Sequence, residues 1–200
     1  MAVRIKDGTI SQINRSALSA PALTNLYQVD IELDNRTLFS AINQLTGIRQ
    51  DWFVRNVGIA CYDATLPTST FATAEVKDNF QGINQQFAHT RFYTDSSFSF
   101  YIDKDYRVLL FFEAWMDYIS NGANVSENDR RFYRRFRYPN TYKCDGLQIT
   151  KFDKNLDKKI TYQFKNAFPK SIQSIPVSYG TAELLKVSVT FAYDRYILIR

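Results

Sequence analysis

Residues 130–138 are the stretch in which side-chain types and spacing point most directly to a chemistry. They read Arg-Arg-Phe-Tyr-Arg-Arg-Phe-Arg-Tyr, so that five arginines alternate with aromatic rings. Guanidinium groups contact phosphates while rings stack on bases, which is how many proteins bind single-stranded nucleic acids. The same residues can form a protein interface, where arginine pairs with carboxylates and aromatic side chains fill pockets. A solvated loop is the third interpretation. The candidate contact residues are Arg130, Arg131, Arg134, Arg135 and Arg137.

The net charge of +5 is confined to the same part of the chain. Residues 129–143 hold six basic side chains and one acidic side chain. The remaining 185 residues carry 19 basic and 19 acidic groups and are therefore neutral. The sequence indicates a balanced protein with one basic segment, not a generally basic nucleic-acid binder.

Catalytic and metal-binding patterns are weak in this sequence. The one histidine, His89, lies in a polar extended stretch, and nothing resembles a nucleophile elbow or a glycine-rich phosphate loop. Cys61 and Cys144 are far apart and lack CxxC spacing, so zinc is disfavoured; buried, reduced thiols are favoured over a disulfide. Asp103 and Asp105 are better placed to begin a helix than to act as a catalytic pair. We predict a non-enzyme without cofactor or metal.

The composition predicts a folded chain with a substantial core. The 200 residues include 16 Phe and 13 Tyr but only 7 Gly and 5 Pro, which excludes disordered and collagen-like classes. No apolar run approaches the roughly 20 residues of a membrane span, and residues 1–21 lack a signal-peptide core. We therefore expect no membrane contact and synthesis in a cytoplasm.

Residues 96–122 change from a strand pattern to a helix pattern within a few positions. The first half alternates apolar and polar side chains, as in a strand with one buried face. Asp103 or Asp105 is expected to cap the following helix, and Asn121-Gly122 to end it. The helix carries one apolar stripe, predicted to be the centre of the core: Val108, Phe111, Phe112, Trp115, Met116 and Ile119.

The rest of the chain reads mainly as strands. Residues 1–24 form an expected N-terminal arm, and residues 25–200 a single domain with an insertion near 34–56. A short helix is predicted between Asn35 and Gly47, whereas 48–56 gives no clear pattern. Strand patterns cover 26–33, 57–62, 142–152, 159–164 and 185–199.

The connections are predicted from turn residues. Residues 68–94 should form strands and long loops with a turn at 79–82, and 153–157 a hairpin loop. Residues 123–140 look irregular, and 165–180 should be a winding connection. The expected fold is mainly β (α+β): an antiparallel sandwich of about seven strands with one principal helix. Its sheet edges must be covered, closed or paired with another chain.

Four stretches, in this order, resemble the tail tube proteins of contractile-tailed bacteriophages. They are Asn25–Ile31, Cys61–Pro67, the strand-to-helix unit around Tyr106–Ile119, and Asn166–Pro169 followed by the strand pattern Leu185–Tyr193. The similarity covers most of the chain, and it rests on the order and spacing of the stretches. It implies a sandwich-like subunit with one packed helix, of the fold shared with type VI secretion tube and baseplate proteins.

The resemblance also implies partners and a place of action. Members form hexameric rings that stack into a hollow tube, with the inward sheets of six subunits joined in one barrel. The expected partners are further copies of the chain, the tail sheath, the baseplate and the tail terminator. The tape measure protein and genomic DNA would pass through the lumen without specific binding. The location would be the virion tail, assembled in the cytoplasm of the host bacterium.

In a tube, the basic segment is expected to face a neighbouring ring, an adjacent subunit or the sheath. Arginines lining the lumen would hold DNA through its phosphates instead of letting it slide. The lumen should be polar or acidic, and the candidates on hydrophilic strand faces are Thr150, Asp153, Thr161, Ser188, Thr190 and Asp194.

Two alternatives remain open from the sequence. The first is a baseplate or terminal adaptor of the same family that starts or caps the tube. The second is a basic-aromatic nucleic-acid-binding module, which would bind tightly and salt-sensitively, lose binding on Arg134→Ala with Arg135→Ala, and form no polymer.

Overall fold

The computed structural model describes residues 24–77, 82–120, 135–153, 155–173, 175–177, 179–180 and 183–200. In chain order its elements are β1 (Tyr27–Glu32), α1 (Arg36–Thr46), α2 (Gln50–Ala60), β2 (Cys61–Ala64), β3 (Ser69–Val76), β4 (Gln85–Tyr93), β5 (Ser96–Tyr101), α3 (Arg107–Ser120), α4 (Pro139–Tyr142), β6 (Gly146–Phe152), β7 (Lys158–Lys165), β8 (Phe168–Ile172), β9 (Lys186–Ala192) and β10 (Arg195–Ile199). None of the described helices is long and apolar enough to cross a membrane.

The strands form two four-stranded antiparallel sheets and one separate hairpin. Sheet A has the order β1-β6-β7-β10, sheet B has the order β2-β5-β9-β8, and β3 pairs with β4 alone. Phe98 of sheet B meets Phe164 of sheet A with 6.0 Å between ring centroids. Because these core faces point towards each other, the opposite faces of the two sheets point away from each other. The predicted antiparallel, mainly β sandwich is confirmed.

Helix α3 packs its aromatic side chains against sheet B and α2. The Phe111 ring stacks on Phe53 of α2 with 3.5 Å between centroids, and Trp115 lies edge-on to Phe191 of β9 at 6.1 Å. The Trp115 indole N–H donates to the carbonyl oxygen of Tyr142 over 3.0 Å, so its one polar atom is satisfied. This packing places the predicted helix at the centre of the core.

Four of the six residues that were predicted to form the buried stripe of α3 are buried, and the other two are not. Met116 and Ile119 are half-buried, whereas Ala114 and Tyr118 are buried in their place. The helix packs on two sides, against sheet B and against α1 and α2, so its buried arc is wider than one stripe. Asp103 begins the helix as expected, because its carboxylate accepts the Arg107 amide over 2.8 Å. The expected end at 121–122 lies outside the described residues.

The segment 34–56 coincides with α1 and most of α2. The Asn35 side chain accepts the amides of Thr37 and Leu38, and Gly47 ends α1 in the left-handed conformation with φ of 69°, as predicted. Both helices contribute buried residues to the core: Leu38, Phe39, Ile42, Phe53 and Val57.

Helix α2 approaches strand β1 closely at a glycine. A Cβ atom on Gly58 would lie 2.3 Å from the carbonyl oxygen of Val29, so no side chain fits there. A β-strand carbonyl points in the plane of its sheet, towards the neighbouring strand position. α2 therefore covers part of the free edge of β1.

Two predicted strands and one predicted connection were wrong in detail. Residues 57–60 belong to α2, because Phe53 and Val57 share a buried helical face and short apolar runs do not distinguish the two periods. Residues 142–145 precede β6, because the short helix α4 ends at Tyr142 and Cys144 forms an isolated bridge with Ala167. The connection 165–180 contains β8.

The predicted C-terminal strand 185–199 is two strands in different sheets. β9 belongs to sheet B and β10 to sheet A, so the chain crosses the sandwich at Tyr193-Asp194. The Asp194 amide donates to the Lys165 carbonyl, 3.0 Å away, and its carboxylate pairs with Lys143 at 3.0 Å and accepts from Asn166 at 2.7 Å. These contacts hold a bend that alternation of apolar residues does not reveal. The described part of the chain has ten strands and three helices of 11 or more residues.

Both cysteines are buried and free, as predicted. Burial raises the pKa of the Cys61 thiol to about 12 and, likewise, the pKa of the Cys144 thiol to about 12. A buried thiolate would lack the solvation that it has in water.

Phe111→Ala should lower the free energy of unfolding by about 3–5 kcal/mol, because it leaves a cavity against Phe53. The matched control is Leu110→Ala, since Leu110 lies on the same helix and its side chain is 46% exposed. It should cost well under half as much. The measurement is chemical denaturation of both variants and the wild type. Equal losses would contradict the placement of α3.

Neither cysteine of the folded protein should react with a thiol reagent at pH 8, whereas both should react after denaturation. The folded-state pKa of each thiol is raised from 9.0 to about 12. The stabilisation from neutral thiols is therefore present below pH 9 and is lost as the pH rises towards 12. Chemical denaturation at a series of alkaline pH values measures this loss. Rapid labelling of the native protein at pH 8 would refute the burial.

Candidate assembly surface

The hairpin β3–β4 stands apart from both sheets. Its strands pair from Ser69 with Tyr93 to Val76 with Gln85, and in the described part of the chain no third strand joins them. Nearly all of its side chains are exposed. The register shifts after Ala72, so that His89 is the extra residue of a bulge. This exposed histidine has its Nδ1 2.8 Å from the Thr90 hydroxyl.

One face of the hairpin is uncharged along its whole length. Its cross-strand pairs are Thr70 with Phe92, Ala72 with Thr90, Ala74 with Phe87, and Val76 with Gln85. The two phenylalanines, 55% and 53% exposed, are large apolar side chains in solvent. A two-stranded ribbon with such a face is only marginally stable by itself in water. The face therefore indicates a surface that contacts a partner.

Arg91 connects the hairpin, near Ser69 and Tyr93, to strand β10 of sheet A. Its guanidinium group donates to the Ser69 hydroxyl over 2.8 Å and to the Tyr196 hydroxyl of β10 over 3.4 Å. It also lies 5.1 Å from the ring centroid of Tyr93 and 5.8 Å from that of Tyr196. The hairpin's direction is therefore set by contacts with the last strand of sheet A. The sequence signal for this surface was the run of small, hydroxyl and aromatic residues in 68–94.

The basic segment lies partly outside the described residues. Arg130, Arg131 and Arg134 are not described, and Arg135 is exposed. Arg137 contacts the end of α3: its Nε donates to the Tyr118 carbonyl over 2.9 Å, and its guanidinium group lies 4.2 Å from the Tyr118 ring centroid. A cation at a helix C-terminus is favourable. An interface role for the segment stays a prediction.

The predicted lumen residues do not share one surface. Thr150 and Thr161 are cross-strand neighbours on sheet A, with hydroxyls 3.1 Å apart. Ser188 and Thr190 lie on sheet B, where they pair with Ser99 and Ser97. Asp153 lies at the β6–β7 turn, and Asp194 lies at the crossing between the sheets, held by Lys143. The outward faces of the two sheets point away from each other. One channel wall could therefore be lined by Thr150 and Thr161 or by Ser188 and Thr190, but not by both sets.

The charges at the crossing are paired within the subunit. The Asp145 carboxylate accepts the Asn166 amide over 2.7 Å and pairs with Lys165 at 3.2 Å. Burial opposes ionisation of Asp145, but this hydrogen bond and the nearby Lys165 and Arg195 lower its pKa below the ordinary value. Among the described residues, no three histidine, cysteine or acidic side chains cluster as metal ligands would.

Comparison with known structures supports the sandwich fold. The chain aligns over 90% of its length with 96% of a chain of the anti-feeding prophage baseplate, at 11% identity and a TM-score of 0.60. It aligns over 96% of its length with 99% of a chain of the sheath-tube complex of an extracellular contractile injection system, PVC, at 14% identity and a TM-score of 0.55. It also aligns over 100% of its length with 99% of a chain of the anti-feeding prophage tube-terminating cap, at 15% identity and a TM-score of 0.55. At these identities the similarity establishes the fold.

A comparison with curated protein sequences gives no match. The family model described as phage tail tube protein matches residues 22–199. The matched part of the chain includes both sheets, the hairpin and all the described helices. The chain therefore belongs to the phage tail tube protein family, and its role is that of a structural tail component.

Proposed function

We propose that this chain is a repeating subunit of the inner tube of a contractile tail. It assembles as hexameric rings, and the stacked rings form the conduit for genome ejection. The observation that carries the proposal is the hairpin β3–β4, whose uncharged face and exposed phenylalanines are not covered by any of the residues that the structure describes. A second copy of the chain supplies such a cover at every repeat of a polymer.

Family and fold point to the same assembly. The phage tail tube family matches most of the chain, and the fold is shared with chains from a sheath-tube complex and from a baseplate symmetrised sixfold. We therefore propose the sheath, baseplate and tail terminator as partners, and the virion tail, built in the host cytoplasm, as the location. The tape measure protein and the genome occupy the lumen without specific binding.

The basic segment fits the outside of such a tube better than its channel. Arg137 is already committed to the end of α3 through Tyr118, and Phe136 and Tyr138 beside it are 73% and 84% exposed. Arginines with exposed rings suit an interface with a ring, subunit or sheath. On the channel wall the same arginines would retain DNA. Cross-linked peptides that join this segment to packaged DNA would contradict this assignment.

A baseplate or terminal adaptor is the second candidate function. The fold similarity extends to a chain of a baseplate and to a tube-terminating cap, with TM-scores of 0.60 and 0.55. An adaptor would form a ring of limited height instead of a long polymer. Electron microscopy of the purified protein distinguishes the two.

Negative-stain electron microscopy at rising protein concentration should show long hollow tubes with a regular ring repeat. Phe87→Gln should raise the concentration needed for tubes about tenfold or more, because it removes an apolar contact on the hairpin face. Leu45→Gln, on α1 and 38% exposed, is the matched control and should assemble like the wild type. Circular dichroism checks that both variants keep the fold.

Other outcomes assign the protein differently. Isolated rings that never lengthen would favour the adaptor. Monomers that bind single-stranded DNA, lose affinity with added salt and lose it on Arg135→Ala would replace the tube by a nucleic-acid-binding function.

A further inference from the structure

We propose that Arg91 braces a hinge where the hairpin β3–β4 leaves the body of the subunit. The brace holds the uncharged face of the hairpin in position before any partner is present. Only the assembly step of this inference rests on the proposed tube function. Its structural step, that Arg91 fixes the direction of the hairpin, is tested on the monomer.

Two short connections join the hairpin to sheet B. Residues 65–68 lead from β2 into β3, and Thr94 with Asp95 leads from β4 into β5. The connections lie side by side, because the Thr94 amide donates to the Thr68 carbonyl over 3.2 Å and the two threonine hydroxyls lie 2.6 Å apart. Short connections of this kind absorb the backbone changes of a hinge. A contact away from the connections is therefore needed to fix the direction of the hairpin.

That contact is made to the other sheet, through Arg91. Its Nε and one terminal nitrogen both donate to the Ser69 hydroxyl, over 3.0 and 2.8 Å. The same terminal nitrogen lies 3.4 Å from the Tyr196 hydroxyl of β10, and the two hydroxyls are 3.5 Å apart. Because a guanidinium group is planar and rigid, it holds both partners in one arrangement.

Aromatic rings surround the same guanidinium group. Its central carbon lies 5.1 Å from the ring centroid of Tyr93 and 5.8 Å from those of Tyr196 and Phe71. Tyr93 and Tyr196 also meet edge-on, with 5.5 Å between their centroids. A single cation–ring contact at an exposed site contributes little. Here the ring contacts and the hydrogen bonds act on one side chain, and together they join the hairpin to sheet A.

The brace also decides which face of the hairpin is turned towards its own subunit. Side chains alternate between the two faces of a strand. Ser69, Arg91 and Tyr93 share one face, and all three contact Tyr196 of β10. The uncharged face is the opposite one, so the brace turns it away from β10.

A braced hairpin reduces the cost of assembly. A hairpin that moves about its hinge loses that freedom when its uncharged face meets a partner, and the lost entropy weakens binding. Such a hairpin can also turn its exposed phenylalanines onto its own subunit, which hides them from a partner. Because Arg91 opposes both movements in the monomer, contact with a partner requires less ordering.

The structural step is tested by distances between two spin labels in the monomer. The labels are attached to Gln85→Cys, at the end of the hairpin remote from the hinge, and to Leu45→Cys on α1. The two native cysteines are buried and should not react. Below the concentration at which tubes form, the labelled protein with Arg91 intact should give one narrow distribution of distances.

Arg91→Ala should widen this distribution about twofold or more, because the hinge is then free. Arg91→Lys keeps the charge but lacks the planar fork, so it should widen the distribution as well. Glu75→Gln is the matched control. It removes the ion pair with Lys77 and leaves the contacts of Arg91 in place, so the distribution should stay narrow.

The assembly step is measured as the concentration at which tubes appear by negative-stain electron microscopy. Arg91→Ala should raise this concentration about tenfold or more. Tyr196→Phe removes one hydroxyl partner of the guanidinium group but keeps the ring, and it should raise the concentration about threefold. The double variant should differ little from Arg91→Ala, because the hydroxyl acts through Arg91. Circular dichroism checks that the variants keep the fold.

The outcomes separate the brace from the tube function. A distribution that stays narrow in Arg91→Ala would overturn the brace. A wide distribution with tubes at the wild-type concentration would overturn its part in assembly and leave the tube function standing. Additive effects in the double variant would show that the Tyr196 hydroxyl acts independently of Arg91, which also contradicts the inference. Wild-type protein that forms neither tubes nor rings would overturn the tube function, whereas the spin-label distances would still decide on the brace.

Discussion

The structure depends on the stacking of aromatic side chains around α3. Phe111 lies on Phe53 at 3.5 Å, and Trp115 lies edge-on to Phe191. These contacts join the helices to sheet B, while Phe98 and Phe164 join sheet B to sheet A. Aromatic side chains bury large areas and prefer such stacked and edge-on geometries. A rigid wall element of a tube needs this kind of core, because a well-packed interior transmits force with little deformation.

The described surface shows the opposite character, because large apolar side chains are left in solvent on several of its elements. Among them are the hairpin face, the edge strand β10 and helix α2. A monomer that had evolved to stay monomeric would blunt such edges with charge, proline or a covering element. Strand β10 carries no charge or proline from Tyr196 to Ile199, and the charges on the two edge strands of sheet A have opposite signs: Asp30 and Glu32 on β1, Arg195 on β10. These features favour an ordered polymer with a single direction over nonspecific association.

Much of the fold was predictable because local patterns and tertiary packing agree there. Asn35 and Gly47 bound α1 by capping, and Asp103 begins α3 as its spacing indicated. The helical stripe from Val108 to Trp115 is buried as expected. Residues 57–60 and the division of 185–199 were not predictable, since apolar alternation continues through both and only packing partners distinguish the outcomes.

The sequence by itself determined the class of protein: antiparallel strands around one aromatic helix, reduced buried thiols, and a single basic segment in a neutral chain. It did so because periodicity, caps and charge counts are local. Only the tertiary structure decided that the chain crosses between sheets at Asp194, that β3–β4 stands free of both sheets, and that the hydroxyl pairs of Thr150 and Ser188 lie on opposite sides. These features depend on which strands pair, and strand pairing joins residues too far apart in sequence for any local pattern to specify.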